Sequence, residues 1–306
     1  MKNVCVVGSI NEDLEIEIDN LPKNGETIIS KGLSIYCGGK GSNEAVSLKR
    51  NGSYVYFIGK IGKDLSGTKG LNKLKEVGVN TEGVIIEEGL ETGKAVIFLF
   101  NDGTDSIIVN AGSNMDLTPK DILSKEELIK SSDAVVSGLE IPEETALKAF
   151  KIAKKHKKMT IFNPSPTKDK LKTEILKYTD ILLPNKLVTE TLTGIKITDE
   201  NSLKSAGEIF IKGGAKVIVF ILGTEGVFIY NKEKSKYLEA KKVKVVDATC
   251  AGDTFIGSFT SIIKDLSFDE IYKGCTYGNT AKNICIGIKG SEPSIPFKEE
   301  REKSLD

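Results

Sequence analysis

Val246-Asp247-Ala248-Thr249-Cys250-Ala251-Gly252-Asp253-Thr254-Phe255 is the stretch on which the reading of this chain turns. The apolar, β-branched residues Val243, Val245 and Val246 lead into it and are predicted to form a strand. Phe255, Ile256, Phe259, Ile262 and Ile263 recur on one face after it, so an amphipathic helix is expected to start here. Small residues and glycine in the turn let the amides of Ala251, Gly252 and Asp253 point outward. The first amides of a helix have no partner inside it, and the macrodipole adds partial positive charge. Such a turn suits a phosphate. The carboxylate of Asp253 sets it apart, because an ordinary phosphate cradle would not place negative charge beside its ligand. A site that takes a proton from a hydroxyl while stabilising a transferring phosphoryl group needs both. The plainer alternative is a first-turn acid favoured by the helix dipole, and the four residues AGDT alone do not decide between them.

Composition removes several function classes. Lys plus Arg and Asp plus Glu number 43 each, so no global field draws the chain to nucleic acid or an anionic membrane. A length of 306 residues could hold two average domains, but α/β folds of this size often form one. No repeat, linker or low-complexity stretch divides the chain, and a single domain over 1–306 is expected. The five cysteines (Cys5, Cys37, Cys250, Cys275, Cys285) are odd in number and form no Cys-x-x-Cys pair. That argues against a disulfide scaffold or zinc site and for a reducing, cytoplasmic compartment. The first apolar run, Val4–Val7, is too short for a signal or a membrane span. His156, the one histidine, sits within Lys154–Lys158, which reads as a solvated helix end. Ser-His catalysis and histidine-rich metal sites are therefore not expected.

Val4–Val7 ends at Gly8-Ser9, as a strand buried on both faces would. Ligand groups in open α/β sheets come from just past the carboxyl ends of strands. Asn11 and Asp13 lie there, two residues apart and so on one side of an extended chain, where an amide and a carboxylate can grip neighbouring hydroxyls. An Asx-rich turn is the ordinary alternative. Residues 14–18, parts of 27–36, Lys94–Phe100 and Asp105–Val109 alternate polar and apolar. They are predicted to be half-exposed antiparallel strands, the last two joined by a turn at Asn101–Thr104. Insertions at about 14–36 and 94–109 thus form a small β-sheet lid. Between them, Cys37-Gly38-Gly39-Lys40-Gly41-Ser42-Asn43-Glu44 lets backbone approach a ligand and opens a helix to about Arg50. It is neither a Walker loop nor a dinucleotide fingerprint.

A regular alternation follows. Strands are predicted at Tyr54–Ile58, Ala134–Ser137, Met159–Phe162, Ile181–Leu183 and Lys216–Leu222, with helices ending at Gly78 and spanning 142–155. This pattern is that of a doubly wound, mostly parallel α/β sheet flanked by helices.

Eight segments together carry a resemblance: GSINED (8–13), GGKGSN (38–43), SGLE (137–140), NPSP (163–166), LPN (183–185), LGTEG (222–226), DATCAGDTF (247–255) and KGSEPSIPF (289–297). In this order, each at a strand end or helix start, they resemble the ribokinase-type (PfkB) sugar kinases over nearly the whole chain. The resemblance implies that fold and transfer of the ATP γ-phosphoryl group to a small sugar, with the 5-hydroxyl of D-ribose the expected acceptor. It places Asn11, Asp13, Gly39, Lys40, Asn43 and Glu140 on the sugar and makes Asp253 the base. Ala251 and Gly252 become the anion hole, and Asn185, Thr224, Gly226, Gly252 and Gly278 become ATP contacts. It further implies Mg²⁺ with ATP, K⁺ or another monovalent cation at Asp247, Thr249, Cys285, Ile288, Gly290 and Ser294, and a homodimer through the lid.

Three departures stand out. Cys250 replaces a small Gly or Ala, and Ala248 replaces a Thr. Val188 occupies the acid position of the N-x-x-E motif that starts at Asn185, with Glu190 two residues late and so turned by roughly 200° on a helix. Two rival readings are a non-catalytic binding regulator, disfavoured by the presence of Asp253, and a nucleoside kinase with Tyr36, Phe98 and Phe100 as a base slot. Deoxyribose and fructose are the other sugars to consider.

Overall fold

A computed structural model of the chain describes residues 2–167, 171 and 173–304. Its strands, in chain order, are β1 (Asn3–Val7), β2 (Asn11–Glu17), β3 (Gly32–Gly38), β4 (Tyr54–Gly62), β5 (Asn80–Glu87), β6 (Gly93–Leu99) and β7 (Asp105–Asn110). They continue with β8 (Ala134–Gly138), β9 (Met159–Asn163), β10 (Ile181–Leu182), β11 (Val217–Ile221), β12 (Gly226–Tyr230) and β13 (Ser235–Glu239). Nine strands form one sheet in the order β13-β12-β11-β10-β9-β8-β1-β4-β5, and four form a second in the order β3-β2-β6-β7.

The large sheet is parallel from β5 to β11, and β12 and β13 add an antiparallel edge. Each central strand is apolar on both faces because each face is covered. Val4 and Val6 pack with Phe57, Leu48, Phe255 and Phe259 on one side. Cys5 and Val7 pack with Phe150, Phe162, Phe210 and Phe220 on the other. Burial of each such side chain contributes about 1.5–3 kcal/mol. The helix Glu143–Lys155 shows how the flanks form, with acids in its first turn, lysines in its last and Ala146, Phe150 and Ala153 on the buried stripe.

The structure corrects three expectations. Residues 243–246 are not a strand: β13 ends at Glu239, and Val243 and Val246 remain about two-fifths exposed (42% and 40%). That run is held instead by Val246 N–H and Asp247 N–H, which donate to Ile286 O. β5, β12 and β13 are strands beyond those expected; β5 and β13 carry short apolar runs, whereas β12 is a continuous one, Val227–Tyr230. The lid is also not wholly antiparallel. β2–β3 and β6–β7 are, but β2 and β6 run side by side in parallel, Asp13 level with Ala95 and Glu15 with Ile97.

Candidate active site

Three strand ends of the large sheet and one strand of the lid converge on Asp253. β1 runs out at Val7 and the chain turns through Gly8–Ile10 into β2, whose buried face carries Asn11, Asp13 and Glu15 in alternation. β8 delivers Glu140, and β9 delivers Asn163 at its last residue. The helix Lys40–Arg50 starts after Gly39, whose φ of 92° is a left-handed value that an L side chain resists. This turn brings Lys40 and Asn43 over the same point.

Glu140 organises one side of this cluster. Its Oε2 accepts from Ser9 Oγ (2.6 Å), the Lys40 amide (3.1 Å) and Asn11 Nδ2 (3.5 Å). Asn11 Oδ1 accepts from Asn114 Nδ2 (2.8 Å), and Asn114 Oδ1 accepts from the Ile10 amide (2.9 Å). Asn114 lies in the turn after the lid and carried no signal in the sequence; its role is to hold Asn11. Asp13 Oδ2 accepts from Ser291 Oγ (2.8 Å), and burial pushes the Asp13 carboxyl up to about 7. Gly38 is explained by Asp13 and not by ligand approach: a Cβ there would lie 1.9 Å from Asp13 Oδ2.

Asp253 sits in the first turn of the helix Ala251–Ile262, 4% exposed. Asn43 Nδ2 donates to its Oδ2 (3.1 Å), and Lys40 Nζ lies 3.9 Å from its Oδ1. Burial raises its pKa, while Lys40 and Asn43 oppose the rise; Asp253 in turn raises that of Lys40. Glu44, buried behind it and bonded by Asn163 Nδ2 (3.0 Å), is pushed up by burial and by Asp253. Glu44, held at about 8, keeps a proton at neutral pH. Asn43 Oδ1 is buried with no donor. Glu44 was passed over in the sequence because it looked only like an interrupted glycine pattern.

The anion turn differs in detail from expectation. The Ala251 amide donates to Ala248 O (3.2 Å) and does not point outward. Gly252 and Asp253 then begin the helix without an internal acceptor, and the space over Gly252 is open for 4 Å. Cys250, where small Gly or Ala was expected, adopts φ 67°. A left-handed residue with a side chain costs about 1–2 kcal/mol, which is the physical content of that departure.

Beside this turn lies a cavity of about 560 Å³ with Gly223, Thr224, Val243, Val245, Ala251 and Lys282 on its walls. Lys282, unforeseen, is buried and bonds Gly223 O (2.8 Å). Gly226 carries φ 113° at the start of β12, and Asn185 is bridged to Ile221 at the end of β11. Gly278 does not line the cavity: it is buried, and a Cβ there would strike the Phe255 ring at 2.8 Å, so glycine serves helix packing. Asn185 Oδ1 caps its helix at the Val188 amide (2.8 Å), Val188 is buried, and Glu190 Oε1 accepts from the Ile197 amide (2.9 Å). No carboxylate replaces the missing acid from this helix.

The six residues assigned to the cation are brought together, Ile288 through its amide, which donates to Cys285 O (3.0 Å). Asp247 takes the Thr249 amide on Oδ1 (2.9 Å) and the Gly290 amide on Oδ2 (2.8 Å). Cys285 Sγ lies 3.9 Å from Thr249 O and 3.1 Å from Ser294 Oγ. Ile288 sits at the rim, its side chain 42% exposed. The lid closes onto this loop, with Ala248 N–H on Gly103 O (3.0 Å) and Thr249 Oγ1 on Asp105 Oδ2 (3.1 Å). Tyr36 stands level with Asp13 and packs over Gly290, whereas Phe98 lies on the lid face opposite Ala95 and Ile97, so Tyr36 and Phe98 do not share the face a nucleoside-base slot would need. The lone histidine, His156, is bonded to Glu126 (2.7 Å) at the end of the helix Glu143–Lys155, on residues that take no part in this cluster.

The sequence matches the family description "pfkB family carbohydrate kinase" over residues 1–297. It is 36% identical over 298 residues to the ribokinase of Staphylococcus aureus, covering 97% of each chain. It is 38% identical over 300 residues to a bifunctional ribokinase/ribose-5-phosphate isomerase A of Fructilactobacillus sanfranciscensis, of which it spans only 55%. Among solved structures, Arabidopsis thaliana ribokinase complexed with ribose and ATP superposes with a TM-score of 0.89 at 30% identity, over 100% of this chain and 99% of that one.

Proposed function

The chain belongs to the pfkB family of carbohydrate kinases, and from that premise we propose that it transfers the γ-phosphoryl group of ATP to the 5-hydroxyl of D-ribose, giving D-ribose 5-phosphate and ADP. The observation that carries the choice of sugar is the small polar ring of Asn11, Asp13, Asn43 and Glu140 closing on Asp253. The ribose- and ATP-bound relative of the same architecture supports it.

Asp13 accepts from sugar hydroxyls, and a bond to its carboxylate is roughly twice as strong as a neutral one, while Asn43 is held on Asp253. Gly39 and Lys40 close the pocket along the backbone. Asp253 takes the proton of the attacking hydroxyl. Lys40 and Asn43, which pair with its carboxylate, favour the ionised form that accepts it. As charge shifts toward the transferring group, the amides of Gly252 and Asp253 and the Lys40 ammonium receive it. ATP lies in the cavity beside the turn, with Thr224, Gly226 and Asn185 near its phosphates and ribose.

Magnesium, when bound with ATP, neutralises phosphate charge; with Val188 in the acid position it is held mainly by phosphates and water. The loop of Asp247, Thr249, Cys285, Gly290 and Ser294 fits a monovalent cation, since it offers a buried carboxylate and carbonyls next to the anion turn. The exposed apolar row Leu33, Ile35 and Ile108 on the lid fits a homodimer paired through that sheet. A cytoplasmic, single-domain enzyme completes the reading. Assaying ribose, 2-deoxyribose, fructose and adenosine with ATP tests it. Ribose should lead, with 2-deoxyribose about 10- to 100-fold worse in kcat/KM because a buried partner loses its hydroxyl. Adenosine outperforming ribose would overturn the substrate while leaving the kinase in place.

A further inference from the structure

Strand β2 continues its inward row beyond the two sugar residues. Asn11 and Asp13 are followed at the same spacing by Glu15, which is wholly buried (0% exposed). A carboxylate there demands an explanation, because a buried charge is costly unless it is paired. Neither Glu15 oxygen has a hydrogen-bond donor. Its carboxyl faces that of Asp247. The nearest cation, Lys289 Nζ, stands 3.9 Å away and is already hydrogen-bonded to Glu17. Of its level neighbours, Ile97 on β6 is apolar and Ser34 on β3 makes no hydrogen bond to it. Two carboxylates thus meet in the interior against a single ammonium that Glu17 already engages, and both donors on Asp247 are uncharged amides.

We propose that Glu15 is a further residue of the monovalent-cation site, the lid's own contribution to it, and that it links cation binding to sugar binding. The inference rests on the cation reading given above. A cation between Glu15 and Asp247 would satisfy both carboxylates at once. It would also tie β2 to the loop Lys289–Ser291, and that loop already holds Asp13 through Ser291 Oγ. Asp13 and Glu15 are two residues apart on one rigid strand, so seating the cation fixes the sugar acceptor. By reciprocity, sugar must then strengthen cation binding by the same factor.

The test uses the full chain without ATP, following thermal unfolding and calorimetric ribose binding in KCl against N-methyl-D-glucamine chloride at equal ionic strength. Parallel arms contain MgCl₂ or CaCl₂. Potassium should raise the unfolding midpoint of the parent and tighten ribose binding. Glu15→Gln should weaken the apparent K⁺ affinity about tenfold or more, as loss of one close charge would, and abolish the effect of K⁺ on ribose. Lys289→Met, which removes only the flanking ammonium, should not weaken K⁺. Equal K⁺ dependence in parent and Glu15→Gln would overturn the role of Glu15 and leave the cation site standing. No K⁺ effect on the parent would overturn the cation site itself. Stronger stabilisation by Ca²⁺ or Mg²⁺ than by K⁺ would overturn the monovalent assignment. Should Glu15→Gln fail to fold, the parent alone decides: K⁺ affinity that does not change when ribose is added refutes the linkage.

Discussion

Replacing Gly38 by alanine tests whether the pocket is shaped around the Asp13 carboxylate. The new Cβ would stand 1.9 Å from Asp13 Oδ2 and 2.3 Å from its Cγ, distances no pair of atoms sustains. The strand is fixed by pairing of Asn11 with Gly38 and Gly93, so the side chain must give way. Asp13 then rotates off Ser291 Oγ and out of the pocket, and the sugar loses its charged acceptor. A hydrogen bond to a charged group contributes about 1.5–3 kcal/mol, so kcat/KM for ribose should fall about 10- to 150-fold. The loss should fall mainly on KM for ribose, with KM for ATP unchanged, because the nucleotide cavity shares no wall with Gly38. A coupled ADP-release assay with ribose varied reads this directly. Asp13→Ala should show a similar loss, and the double variant should be no worse than Asp13→Ala alone, since both remove the same group. A Gly38→Ala enzyme within about threefold of the parent, or fully additive losses in the double variant, would refute the reasoning.

Asp253→Asn keeps the shape and removes the proton acceptor; kcat should fall by about 10²–10⁴ with ribose binding by calorimetry largely retained. The ligand-free protein should lose stability as pH rises from about 5 to 8. Folded Asp13 titrates near 7 and Glu44 is raised likewise, so the folded state holds protons that the unfolded chain has released. Glu44→Gln should flatten that slope in thermal unfolding, and an unchanged slope would discard Glu44 as its source. Val188→Glu restores an acid to the helix after Asn185, and stimulation of kcat by free Mg²⁺ beyond that bound to ATP should become stronger than in the parent.

Much of this protein is legible residue by residue. Val4–Val7, Ala134–Ser137 and Lys216–Leu222 declare buried parallel strands because a strand covered on both faces needs an unbroken apolar run. The polar residues just past them declare the site edge, because that is where the backbone leaves the sheet. Asp253 stands out from its turn, and the family resemblance makes it the base; Glu190 is displaced relative to the N-x-x-E motif of that family, and helical periodicity turns it away. The strand expected at 243–246 shows the limit: β-branched residues there line a cavity and bond to Ile286, a partner some 40 positions away that no local pattern reveals.

Tertiary structure alone decided the rest, for one reason: these features depend on which distant groups meet. Asn114, Glu44 and Ser291 act through partners roughly 100 to 280 residues away. Whether a buried carboxylate is a base, a proton store or a cation ligand depends on the charges packed around it. Asp253 has Lys40 and Asn43, Glu44 has Asp253 and Asn163, and Glu15 has only Asp247 and a lysine already engaged. Chain order specifies the acids; their distances from one another and from water, set by the folding of two sheets together, specify what each acid does.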